Sequence, residues 1–340
     1  MEVRLRFRAL ATLARVSVVA IGSLTSQPLG SETLQELPTN GLVFTAPPGV
    51  VLDRQEVVLS TEAILMRYWL TDTAETPTEL SIALRLPDLD FSDPDVSYAI
   101  PAPDPVNFIG ASLRIDNKPI PLSFRQTASL HGKDVIETLK WAKLSLVPVA
   151  TFQNEVAAMT LEMREELAKR MLIRPVGTTV EGKPLYFPAW TVRTELLRKL
   201  KLEPGKPVEI ALRYVPSIGV TRDTVLRKTL RDQKSLATQV REKRRAYCID
   251  DTFLSGVDAL SGPAEAKLVE RRMRVQLRPE GETDLPVRYL RMIVDKGKPQ
   301  RIVSFCSENM RRISATVYEA ELKDTLPKPV FDILVVEKGN

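Results

Sequence analysis

The chain has 340 residues, with 48 Lys and Arg against 43 Asp and Glu and a formal net charge of +5. One histidine, His131, and two cysteines, Cys248 and Cys306, exclude a His-rich metal site and leave a single imidazole for any His-dependent chemistry. The small excess of positive charge does not by itself specify nucleic acid or an anionic membrane surface.

Arg4, Arg6, Arg8 and Arg15, followed by the apolar run 16–24 and by Thr25 and Ser26, predict an export signal within residues 1–30. The chain is then expected to be periplasmic or secreted, where thiols pair. No later run of eighteen apolar residues exists, so the mature chain is expected to hold no membrane span.

Strand patterns follow at 41–44, 56–61 and 63–70. In the last, Ile64, Met66, Tyr68 and Leu70 share one face and Leu65 and Trp69 the other, as in a strand covered on both sides. Leu80, Ile82, Leu84 and Leu86 alternate with Ser81, Ala83 and Arg85, the period of a half-buried strand. Runs 111–116 and 120–124 predict a hairpin turning at Asn117-Lys118. The period then lengthens. Asp134 and Glu137 are spaced as the cap of a helix over 134–144. Val156, Met159, Met163, Leu167 and Met171 form the apolar stripe of a helix over 154–172. Runs 190–200 and 207–215, joined through Pro204-Gly205, read as a second hairpin. An N-terminal β-sandwich at 41–217 is therefore expected, with a helical insertion at about 134–175.

Segment 218–246 is rich in cations and reads as a basic linker. Arg227, Lys228, Arg231, Arg241, Lys243, Arg244 and Arg245 are its candidates for contact with an anion or a partner. Segment 218–246 holds no aromatic residue, which argues against nucleic acid. Runs 273–277, 287–294, 302–306, 313–322 and 331–336 then predict a C-terminal β-sandwich unit over 247–340. The fold class is accordingly mainly β, as two antiparallel sandwich-like units.

Cys248 and Cys306 each border a strand-like run. A disulfide between them would close a long loop and stabilise the fold by about 4 kcal/mol. Redox-active thiols would need CxxC spacing or an electropositive niche, and buried unpaired thiols are the remaining alternative. Asp88, Asp90, Asp93, Asp95 and Asp104 crowd one Pro-rich loop and could hold calcium, the one cofactor considered. Their spacing does not fit the helix–loop–helix calcium site, because Asp93 and Ala99 stand where Gly and Glu belong. Turn-capping aspartates are the other reading. Asp88, Asp90 and Asp250 are the candidates for a carboxylate-only, glycosidase-like hydrolase. His131 reads as a surface or cap residue, and neither a G-x-S-x-G elbow nor a phosphate loop occurs.

A series of blocks runs in order along the chain. They are 41–45 (GLVFT), Arg67-Tyr68, 86–90 (LPDLD), 104–108 (DPVNF) and 132–135 (GKDV). Further on come 190–193 (WTVR), Tyr214 with Pro216, 247–250 (YCID), 295–299 (DKGKP) and 303–306 (VSFC). In this series the chain resembles an exported bacterial family catalogued as domain of unknown function 4424. The resemblance implies an exported protein without assigned catalytic residues. The chain departs from the family pattern at 278–286 and in the length and charge of 220–245. The expected function is non-enzymatic binding of a protein or a cell-envelope component. A carboxylate hydrolase and a calcium-stabilised adhesion module are the alternatives.

Overall fold

The computed structural model describes residues 32–93, 96–148, 152–278, 285–307 and 309–339. The expected signal at 1–30 and Asp95 lie outside the described residues. Three short strands, β1 (Glu32–Leu34), β2 (Thr39–Asn40) and β3 (Val43–Thr45), lead into the long pair β4 (Val50–Ser60) and β5 (Ile64–Asp72). The alternation in β5 is realised: Ile64, Met66, Tyr68 and Leu70 are buried. The buried Tyr68 hydroxyl accepts the Leu42 N–H at 3.1 Å, so the polar end of a core side chain is satisfied.

Next come β6 (Thr78–Arg85), β7 (Leu89–Asp90), β8 (Ser112–Ile115), β9 (Lys118–Ile120), β10 (Phe124–Leu130) and β11 (Lys133–Asp134). The β8–β9 hairpin forms, one residue earlier than its expected turn. Asp116 and Asn117 both take positive φ, 48° and 63°, the backbone of a tight hairpin turn. Phe124 starts the next strand instead of ending this one.

The helical insertion is more broken than its periodicity suggests. Lys133–Asp134 pairs with β10, so the first helix, α1 (Ile136–Trp141), starts late. The Asp134 carboxylate still accepts the Ile136 N–H at 2.8 Å. The expected helix over 154–172 is two helices, α2 (Phe152–Ala157) and α3 (Leu161–Lys169). Thr160 is the reason: its hydroxyl accepts the Met163 N–H and begins a new helix. Val156, Met159 and Leu167 are buried as the stripe requires, whereas Met171 is 54% exposed, just beyond the end of α3.

The strands β12 (Ile173–Thr178) and β13 (Pro184–Pro188) form a separate ribbon. They precede β14 (Thr191–Leu202), β15 (Val208–Tyr214) and β16 (Gly219–Thr221). β14 and β15 do not make the expected hairpin. β14 pairs with β6, β7 and β10, and β15 with β5 and β8, so the Pro204-Gly205 turn passes the chain from one sheet to another. A Pro-Gly turn and a period of two describe either connection, which is why the sequence pattern misled.

The expected basic linker, residues 218–246, is ordered. After β16 they form α4 (Lys228–Arg231), a single 3-10 turn (Lys234–Leu236) and α5 (Ala237–Tyr247), continued by α6 (Asp251–Ser261). Their apolar minority is buried, at Leu226, Leu230 and Leu236. The remaining strands are β17 (Leu268–Gln276), β18 (Val287–Asp295), β19 (Ile302–Phe305), β20 (Arg311–Arg312), β21 (Val317–Thr325) and β22 (Val330–Lys338).

The fold is mainly β, and among the described residues several sheets form, none closed into a barrel. The large sheet has the order β20-β21-β18-β4-β5-β15-β8-β9. It takes strands from both halves of the chain, because β18 pairs in parallel with β4 over most of its length. The sheets therefore do not divide at residue 217, the boundary expected between two units. An N-terminal sheet contains β11-β10-β14-β6-β3, and a C-terminal sheet contains β1-β16-β17-β22-β19.

One core unites all three sheets. Along β22, Phe331, Ile333 and Val335 join this core, while Leu334 and Val336 pack with Phe253, Leu254 and Val257 of α6. Alternate residues of a single strand thus build two cores, and the C-terminal sheet lies between the helices and the rest of the protein.

A charged clamp ties this sheet to the β4–β5 turn. Arg301 donates to Glu337 at 2.7 Å, to Thr61 at 2.9 Å and to Glu62 at 3.2 Å, and Arg271 donates to Glu337 at 2.6 Å. Burial alone would raise the Glu337 carboxyl, but the two arginines outweigh it and hold it below the ordinary 4.5. A depressed carboxyl stabilises the fold above its unfolded pKa and loses that contribution as pH falls through its folded value. Stability is therefore expected to decline as pH drops below about 4.5. Glu337→Gln should flatten that decline by up to one proton. Urea titrations at pH 3 to 6 check this, and equal slopes for both proteins would refute it.

Candidate functional site

A concavity lies where α6 packs beside β19, the last strand of the C-terminal sheet. α5 ends at Cys248, whose φ of 52° is left-handed and turns the chain sharply toward α6. Cys248 was expected at a strand edge and instead terminates a helix. Asp250 then caps α6, its carboxylate accepting the Phe253 N–H at 2.7 Å. The spacing of Phe253, Leu254, Val257 and Leu260 is helical, a signal that the sequence carries.

The corner between α5 and α6 is fastened twice to β19. Cys248 and Cys306 form a disulfide with their Cα atoms 5.0 Å apart, and no free cysteine remains. Beside it the Ser304 hydroxyl donates to the Tyr247 carbonyl at 2.8 Å. Gly256 lets α6 settle on β19, since a Cβ there would meet Ile302 Cδ1 at 2.8 Å.

A groove of about 580 Å3 opens beside these fasteners. It is lined by the successive residues Ile302 to Ser307, with Thr252 and Phe253 on α6 and Tyr318 on β21. A sheet face would present alternate residues; an unbroken run means that the groove follows the strand's edge. β19 pairs with β22 and with no other strand among the described residues. A second hollow of about 390 Å3 shares Ile302, Val303 and Tyr318 and continues past Gly256 and Arg312. The rings of Phe305 and Tyr318 meet edge-on at 5.6 Å and close the groove toward the core. Another hollow, of about 510 Å3, lies on α3 beside the half-exposed Trp141 and is rimmed by Glu162, Glu165 and Glu166.

Most of the predicted basic residues serve the fold. Arg227 is held by Asp223 at 2.7 Å and by Glu265, and Arg231 grips Asp258 through two contacts of 2.6 Å. Hydrogen bonding from Arg231 holds the Asp258 carboxyl below its usual range. Lys228 pairs with Asp232, Arg244 with Asp251, and Lys243 reaches the buried Glu270. Arg241 donates to Thr238 Oγ1, and Arg245 is exposed on α5.

The aspartates of the Pro-rich loop are dispersed. Asp88 binds Arg193 at 2.9 Å, and this hydrogen bond raises the guanidinium pKa further. Asp90 accepts the Ser92 N–H at 2.9 Å, and Asp104 accepts the N–H groups of Val106 and Asn107. Asp93 lies in the same loop, where its carbonyl accepts the Val96 N–H at 3.4 Å. Among the described residues no group of three or more His, Cys, Asp or Glu could hold a metal ion. Of the carboxylates considered for hydrolysis, Asp250 lines the groove, while Asp88 and Asp90 sit against β14 on another sheet. His131 is exposed in the β10–β11 turn with φ of 49°. Apart from Cys248, Cys306 and Asp250, sequence reasoning missed the residues of the groove, because they converge only when α6 and β21 come together beside β19.

A search of the curated proteins finds no match. Among solved structures the chain is similar to a proposed nutrient binding protein from Legionella pneumophila. That match has 10% identity and a TM-score of 0.44, covering 91% of this chain and 73% of that one. A family model described as "Domain of unknown function (DUF4424)" matches residues 31–334, which contain every element of the groove. The chain belongs to the DUF4424 family.

Proposed function

We propose that the chain is a non-enzymatic binding protein of the bacterial envelope, periplasmic or secreted, and that the groove beside β19 is its recognition surface. The observation that supports this most directly is the unbroken lining from Ile302 to Ser307 beneath α6. Such a surface offers backbone donors and acceptors together with the apolar side chains of Phe253, Ile302 and Phe305. A concave surface that brings apolar side chains together with polar groups is a usual setting for a binding site. The disulfide and the Ser304–Tyr247 hydrogen bond fix both walls before a ligand arrives, which lowers the ordering cost of binding.

The test is photo-crosslinking in the envelope of the host. A reactive residue at Thr252 or Ser307 should yield the same discrete adduct. The control places it at Lys199, which is exposed on β14, and should not yield that adduct. An identical pattern from all three positions, or no adduct from the groove, would refute the proposal.

A further inference from the structure

The edge of β19 carries information about the kind of partner. Sheet edges expose unpaired N–H and C=O groups, and natural proteins usually guard them with charges, prolines or a covering element. The sequence of β19, Ile302-Val303-Ser304-Phe305, has neither charge nor proline. α6 packs on β19 and β22, and the groove remains open alongside β19. We propose that this edge receives an extended peptide segment of a partner protein as an added strand, with carboxylates flanking the paired residues. The proposal rests on the binding role above and names the class of its ligand.

Three observations carry it. First, the groove follows the strand rather than a face, so a ligand in it meets main chain. A strand of four residues spans roughly 13 Å at about 3.3 Å per residue, which suits a short extended segment. Second, a neighbouring hollow shares Ile302, Val303 and Tyr318 with the groove, so concave surface borders the strand beyond the groove itself.

Third, the available charges are cationic. Lys328 lines one cavity and Arg312 the other, and both are exposed. Among the described residues no carboxylate forms an ion pair with either. Arg312 is held in place by the carbonyls of Ser314 at 2.9 Å and Ala315 at 3.1 Å. The other charges of the lining are committed to the fold. Asp250 caps α6, and Lys296 donates to the Pro299 and Arg301 carbonyls. Arg301 pairs with Glu337 and Glu62. Main-chain hydrogen bonds then supply affinity, and the two cations select acidic flanks.

The test uses fluorescein-labelled decapeptides of alternating Val and Thr, ended by Asp, Ser or Lys pairs, measured by fluorescence anisotropy. The acidic peptide should bind about tenfold more tightly than the neutral one, a difference of about 1.4 kcal/mol. N-methylation of alternate amides along one edge of that peptide should cost at least tenfold. Lys328→Glu with Arg312→Glu should invert the preference toward the basic peptide, with the circular dichroism spectrum unchanged. Lys328→Glu alone should weaken the acidic preference if the double variant does not fold.

Unchanged affinity after N-methylation would overturn strand addition. So would equal affinity for acidic and basic peptides. Light scattering that finds a dimer blocking the peptide would identify a second copy as the occupant and overturn it as well. If no peptide binds while Thr252 and Ser307 still crosslink a partner, strand addition falls and the binding role stands. If crosslinking also fails, both fall.

Discussion

Glu270→Gln is expected to lower the unfolding free energy by about 3–5 kcal/mol, the range for breaking a buried ion pair from one side. Glu270 is fully buried on β17. Its carboxylate accepts from Thr224 Oγ1 at 2.8 Å and from Arg272 at 3.1 Å, and Lys243 of α5 completes the set. Arg272 is also held by Thr221 and by Glu36. One carboxylate therefore joins β17 to the segment before α4, to α5 and, through Arg272, to the N-terminal stretch.

The amide keeps the shape of the carboxylate but removes the charge, leaving cations with too little water to replace it. Urea denaturation should show a lower midpoint at an unchanged slope. Adding Lys243→Met should recover part of the loss, because it removes one of the stranded charges. Stability within 1 kcal/mol of the original would refute this account of the cluster.

Removal of the disulfide is the second large effect. Cys248→Ser with Cys306→Ser opens a loop of 58 residues, and loop entropy assigns this about 4 kcal/mol. The Ser304–Tyr247 hydrogen bond and the Asp250 cap remain in the variant. The folded structure should therefore be retained, with the loss arising mainly in the unfolded ensemble. Near-ultraviolet circular dichroism should be unchanged while the urea midpoint falls. The denatured, unreduced wild type should show no free thiol. Two titratable thiols, or equal stability with and without the bond, would refute the role assigned to it.

The Glu270 cluster draws Thr224 and Lys243 from the segment whose sequence was most misleading. Residues 218–246 carry so many cations that composition reads them as a solvated linker. The structure pairs Arg227, Arg231 and Lys243 with Asp223, Asp258 and Glu270. Two of those three acids lie beyond the segment, at 258 and 270. Local composition cannot register neutralisation by a distant acid, so ordered helices read as a basic linker.

The Asp-rich loop shows the same limit of local composition. Five aspartates within seventeen residues suggested a metal site, but the sequence distance between carboxylates says nothing about where they point. Asp88 points at Arg193 and Asp104 at its own backbone. The groove was invisible for the same reason. Ile302 and Phe305 lie in a run that reads only as a strand, and its sequence offers no sign that one edge is open.

What the sequence determined by itself is the set of local choices. The alternation in β5 and β6, the cysteine pairing and the mainly β class follow from short-range periodicity and from a count of two thiols. Tertiary structure alone decided which strands are neighbours. The parallel pairing of β18 with β4, the separation of β14 from β15 and the open edge of β19 rest on contacts far apart in the chain. A period of two states which side of a strand is buried, and that side is the same whatever strand lies beside it. Hydrogen-bonding partners are chosen by the packing of the whole core, and the recognition groove is a product of that choice.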